Sequence, residues 1–130
     1  MRSFESRSLV VPLVSEDETL LAEMTALLDD PRVVPRRDAD ALLEQLHGAP
    51  FGGLIIDGSL SGRRSVALAR AFTKWQPLGR VAILAAADDV TTLVSFAFSG
   101  PRCDLFFPPF DRDAILNFLR MAGESVGASR

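Results

Sequence analysis

Tyrosine is absent from the 130 residues, and histidine, lysine and cysteine occur once each, as His47, Lys74 and Cys103. A single cysteine excludes an internal disulfide and suits a reducing compartment. A single histidine leaves zinc clusters and a Ser-His-Asp triad with a second histidine unsupported. No apolar run approaches the length of a membrane span, and the polar opening, MRSFESRS, lacks the apolar core of a secretory signal. The 14 basic residues against 17 acidic ones give a net charge of −3. That balance argues against nucleic acid or an anionic membrane as an electrostatic partner. The expectation is a cytoplasmic protein that binds neither.

Hydrophobic residues make up 48% and charged residues 24%, which excludes a disordered or fibrous chain. The length suits one domain able to bury its own core. No internal repeat or low-complexity stretch interrupts it. The small, polar end divides the chain into a domain over residues 1–123 and a flexible tail or linker over residues 124–130.

Short apolar runs alternate with segments of helical periodicity. Leu9 to Val14 predicts a strand buried on both faces. Asp17 or Glu16 then caps a helix lined by Leu20, Leu21, Met24, Leu27 and Leu28. A short strand, Arg32 to Pro35, precedes a helix opened by Asp38 and closed by Gly48. The third strand, Gly53 to Ile56, ends on Asp57. A turn over Gly58–Gly62 leads into a helix from about Arg63 to Trp75. The fourth strand is Val81 to Ala85, followed by a helix over roughly Val90 to Phe98. The fifth strand is Asp104 to Phe107, and after Pro108-Pro109 Asp111 caps a last helix through Met121. This is an α/β (βα)₅ pattern. It predicts a single flavodoxin-like domain with a five-stranded parallel sheet of order 2-1-3-4-5 and helices on both faces.

Ligands of such sheets bind beyond the carboxyl ends of the strands, at the switch in strand order. The residues there are Ser15, Glu16, Asp17 and Glu18 after strand one, Asp57 after strand three, Ala85 to Ala87 after strand four, and Pro108-Pro109 after strand five. The acidic run also suits the helix N-terminus, through capping and the macrodipole. Asp57 is different, because it places a charge at the end of the most apolar strand. With strands one and three adjacent, Glu16, Asp17 and Asp57 are expected to converge. Oxygen ligands in that number suit Mg²⁺.

The stretch from about Leu9 to Ala122 resembles the receiver domains of two-component response regulators. The resemblance rests on the acidic pair within Ser15-Glu16-Asp17-Glu18, on Leu54-Ile55-Ile56-Asp57, on residues 82–89 (AILAAADD) and on residues 104–110 (DLFFPPF), in that order and spacing. It implies Mg²⁺ at Glu16, Asp17 and Asp57, with Asp57 as the phosphoacceptor served by a histidine kinase. It also implies a cis peptide bond at Phe107–Pro108 or Pro108–Pro109, the second being favoured. A protein partner or a second copy would dock on the face of the fourth helix, fifth strand and last helix.

The departures from the family pattern are specific. Ala85 stands where the family carries a hydroxyl that bonds the phosphoryl oxygen. Pro108 stands where a lysine ammonium balances the aspartyl phosphate. Leu105 replaces the aromatic switch residue, and Ser61 the proline four residues past the phosphoacceptor. Lys74, Arg102 and Arg112 are the cations weighed as substitutes. The expected function is therefore a degenerate, pseudo-receiver signalling or protein-interaction module, not an enzyme, with a weak or absent phosphorylation response. The alternative is a working receiver phosphorylated at Asp57 with Mg²⁺. A flavodoxin-like nucleotide-binding enzyme lacks a phosphate loop here, since Gly58–Gly62 has no Lys-Ser/Thr ending. His47 suits a helix C-terminus, and Cys103 reads as a small buried hydrophobe.

Overall fold

The computed structural model describes residues 10–46, 51–60, 64–77, 79–85 and 103–128. His47, Gly48, Ser61, Arg102 and the helix expected over Val90 to Phe98 lie outside the described residues. Five strands are present: β1 (Val11–Val14), β2 (Val33–Arg36), β3 (Gly53–Asp57), β4 (Arg80–Leu84) and β5 (Cys103–Phe106). The described helices are α1 (Glu18–Leu28), α2 (Ala39–Gln45), α3 (Arg64–Trp75) and α4 (Arg112–Ala128). All strand pairs are parallel, and the sheet order is β2-β1-β3-β4-β5. The order expected from the alternation of runs is the order observed.

Every residue of β1 and β3 is buried, as central parallel strands covered on both faces require. Alternate side chains feed two cores. On one face Leu54, Ile56, Val81 and Ile83 pack with Leu42 of α2 and with Leu68, Ala69 and Phe72 of α3. On the other, Val11, Leu13, Ile55 and Leu84 pack with Leu21, Met24 and Leu28 of α1 and with Ile115, Phe118 and Leu119 of α4. Each of these large side chains contributes about 1.5–3 kcal/mol by leaving water, so each helix is fixed to the sheet by its apolar stripe. The β1–β3 ladder is interrupted near Pro12, which has no N–H to offer. An isolated bridge joins Val10 to Phe51, and pairing resumes at Leu13–Ile55.

Side-chain caps set the helix starts. Asp17 accepts from the N–H groups of Thr19 and Leu20, Asp38 from Ala41, and Asp111 from Asp113 and Ala114. Helix α1 ends on Asp29, which has left-handed backbone (φ 47°) and donates its N–H to the Thr25 carbonyl. β1 begins at Val11 and not at Leu9, and the other strands differ from the sequence expectation by one residue. β2 is shifted one residue later, to Val33–Arg36, and β4 and β5 one residue earlier, to Arg80–Leu84 and Cys103–Phe106, because pairing with adjacent strands decides strand ends more than apolar content does. The last helix continues past Met121 to Ala128. No proline follows Asp111 to stop it, and Gly123 weakens a helix interior without ending it. The Pro108–Pro109 bond is cis, as the resemblance implies.

Gly79 enters β4 against the ring of Phe72, which is 1% exposed. A Cβ at position 79 would stand 2.6 Å from Phe72 Cε2 and 2.7 Å from Cζ. Gly79→Ala should therefore lower stability by about 1–3 kcal/mol through overpacking, measured as a lower urea midpoint with an unchanged slope. A midpoint equal to that of the parent would show that the ring moves aside freely.

Candidate functional site

The parallel register brings four strand ends to one level. Val14 pairs with Ile56, Asp57 with Leu84, and Leu84 with Phe106. Ser15, Asp57, Ala85 and Phe107 therefore line the carboxyl edge of the sheet. Backbone bonds seal this edge: Ala85 N–H donates to the Phe106 carbonyl and Gly58 N–H to the Leu84 carbonyl, both at 2.9 Å.

Asp57 is only 6% exposed, so its carboxylate must find partners within the protein. Oδ2 accepts from the hydroxyl of Ser15 at 2.7 Å. Oδ1 accepts from the hydroxyl of Ser59 at 2.6 Å and from its N–H at 2.9 Å. Behind the carboxylate, the Asp57 carbonyl accepts from the hydroxyl of Ser65 at 3.0 Å, tying β3 to the first turn of α3. Ser15 is itself fully buried, and its Oγ accepts from the Asp17 N–H at 3.0 Å. The result is a chain of bonds from the start of α1 through Ser15 to Asp57 and on to the turn at Ser59.

The two residues of the acidic pair have different surroundings. Asp17 is exposed, and its Oδ1 is the α1 cap, 2.9 Å from Thr19 N and 3.3 Å from Leu20 N. Of the readings open for the acidic run, capping is the one Asp17 follows. Glu16 lines a cleft of about 460 Å³ with Arg37, Asp38, Ala39, Asp40 and Arg64. There Arg64 grips Asp40 through two nitrogens, at 3.0 and 3.2 Å, and holds that carboxyl below the usual carboxylate range. Among the described residues, no three His, Cys, Asp or Glu side chains are grouped so as to hold a metal ion. Glu16, Asp17 and Asp57 do not form such a group of three.

The positions at which the sequence departs from the family pattern include Ala85, Leu105 and Pro108. Ala85 is fully buried and packs into the core beside Val14 and Ile83. It offers no hydroxyl. Pro108 is exposed and has no donor. Leu105 is 41% exposed on the edge strand, while the neighbouring Phe106 turns inward to meet Phe118 edge-on at 6.3 Å. Arg112, one of the substitute cations, donates to the Leu27 carbonyl at 3.0 Å and so serves the end of α1. Lys74 sits in the last turn of α3. Ser15 is the participant to which the sequence reading gave no role. Its signal was there: a small polar residue directly continuing a fully buried strand.

No protein-family model matches the sequence, and no curated protein matches it. Solved structures do. The receiver domain of a response regulator from Clostridium thermocellum superposes with a TM-score of 0.77 over 94% of this chain and 99% of that one, at 14% identity. The signal receiver domain of an HD domain-containing protein from Pseudomonas fluorescens gives 0.76 over 92% and 98%, at 20% identity. A candidate pilus assembly-related protein from Burkholderia pseudomallei gives 0.68 over 91% of each chain, at 21% identity. The chain has the receiver fold.

Cys103 opens β5 and is half-buried. Burial, with the charge of Asp104 adding to it, pushes its thiol up to about 11. The folded protein therefore favours the neutral thiol until pH approaches 11, and a thiol with a normal value near 9 would ionise sooner. Alkylation by iodoacetamide at pH 8 should be on the order of 100-fold slower than for a free thiol. A rate profile with its midpoint near pH 9 would contradict this environment.

Two tests probe the cluster itself. Ser15→Ala leaves Asp57 Oδ2 without its buried donor and should cost about 1–3 kcal/mol in urea unfolding. In an Asp57→Ala background the same change should cost about 1 kcal/mol less or better, because the bond is already gone. Equal costs in both backgrounds would show that Ser15 stabilises the fold by some other contact.

Proposed function

We propose that this domain is a receiver-like signalling module that works by binding a protein partner or a second copy of itself, with a weak or absent response to phosphorylation. The observation carrying this reading is the state of Asp57. Both oxygens of its carboxylate are engaged by serines, at 2.7 and 2.6 Å. A phosphoryl group added there would have to displace those bonds. It would then meet Ala85 in place of a hydroxyl and Pro108 in place of an ammonium. A charge-assisted hydrogen bond contributes roughly 1.5–3 kcal/mol, so losing two removes most of what distinguishes a phosphorylated state. A ligand shifts a conformational equilibrium only through such a difference. Leu105 provides no aromatic ring to reorient.

The domain is read as non-enzymatic, since the Asp57 carboxylate at the edge of the sheet is engaged in accepting hydrogen bonds from Ser15 and Ser59. No described helix is long and apolar enough to cross a membrane. The docking face proposed is that of β5 and the last helix, the fourth helix of the sequence expectation lying outside the described residues. Leu105 on the edge strand and Phe107 just past its end support it, each 41% exposed, since solvated apolar side chains at a sheet edge invite a partner. The Burkholderia pseudomallei protein of the same fold is described as related to pilus assembly, a setting in which a module of this kind would act through protein contacts. The alternative, a phosphoacceptor at Asp57 served by a histidine kinase, rests on the position of Asp57 at the end of β3.

Self-association or partner binding should stay within about 1 kcal/mol of the parent in Asp57→Asn, the range of ordinary surface substitutions. Phe107→Glu should weaken it tenfold or more. Sedimentation equilibrium, with and without acetyl phosphate, reads both. A tenfold change on acetyl phosphate that requires Asp57 would establish the alternative.

A further inference from the structure

Resting on the receiver reading of this site, we infer that Ser15 takes the place of a divalent cation, so that a buried hydroxyl holds the Asp57 carboxylate where a metal would otherwise have to. The position of Ser15 carries this. It is fully buried, one residue beyond the Val14–Ile56 pair, with its Oγ 2.7 Å from Asp57 Oδ2. Its oxygen also accepts the Asp17 N–H at 3.0 Å, which leaves the Asp17 carboxylate turned to the Thr19 and Leu20 N–H groups. One hydroxyl thus satisfies Oδ2 of the aspartate and anchors the α1 entry beside the Asp17 cap. Two opposed carboxylates at hydrogen-bond distance would repel and would need a cation between them. A serine at that point needs none. The loop ends are fixed permanently, as a latch independent of metal concentration.

The latch has a consequence that ordinary structural serines lack: replacing it with a carboxylate should create metal dependence. Ser15→Asp sets a second carboxylate against Asp57. The test compares parent, Ser15→Ala and Ser15→Asp in thermal unfolding with EDTA or with MgCl₂, and follows amide signals of Gly58 and Ser59 during Mn²⁺ addition. The parent should show the same Tm in both buffers and no selective Mn²⁺ broadening. Ser15→Ala should melt lower, with no recovery in Mg²⁺. Ser15→Asp should melt lower in EDTA and recover by roughly 5 °C in saturating Mg²⁺, with broadening at Gly58 and Ser59. If Ser15→Asp does not fold in either buffer, the parent and Ser15→Ala data decide alone. Selective Mn²⁺ broadening in the parent would overturn the inference. So would a folded Ser15→Asp variant indifferent to Mg²⁺, or recovery of Ser15→Ala in Mg²⁺. These outcomes leave the signalling reading intact, because that reading stands on whether phosphorylation of Asp57 changes association.

Discussion

The hydrogen bond between Ser15 and Asp57 joins residues 42 apart in sequence, and the carboxyl edge of the sheet is organised around it. A carboxylate buried at the end of an apolar strand is unstable without donors. This one has three, from two serines and one backbone N–H. Those donors fix the turn after β3 and the entry to α1. The Ser65 hydroxyl on the Asp57 carbonyl fixes the start of α3. In the function proposed for this domain, an edge built this way is complete without a cation or a phosphoryl group.

Much of the fold could be read from residue order. Apolar runs of β length separated by helical periodicity leave few arrangements once crossovers are right-handed, and β2-β1-β3-β4-β5 was among them. Asp38 and Asp111 were legible as caps because an aspartate before an apolar stripe has a specific use for its carboxylate. Strand ends were less legible. Arg36, Arg80 and Cys103 enter strands because their neighbours pair there, not because they are apolar. The end of α4 was hidden by Gly123 and Ser125, which look like a tail yet break no helical hydrogen bond.

The site was legible in its losses and less so in its construction. Ala85 and Pro108 announce by their chemistry that no hydroxyl and no ammonium stand there. Charge draws attention in a sequence, so Glu16 and Asp17 stood out as metal ligands. In the fold, Asp17 serves its own helix and Glu16 faces the cleft beside Arg37 and Arg64. Ser15 carries no charge, and its importance arises only when the parallel register sets it level with Asp57. Spacing within one strand cannot reveal a contact made between two.

The central claim is that the Asp57 edge is closed by hydroxyls and does not respond to a phosphoryl group. Adding beryllofluoride with Mg²⁺, which mimics an aspartyl phosphate, while recording amide shifts tests it most directly. The account predicts that Gly58, Ser59 and Ala85 keep their positions throughout the titration. Saturable shifts at these residues, spreading into β5 and abolished by Asp57→Asn, would contradict it.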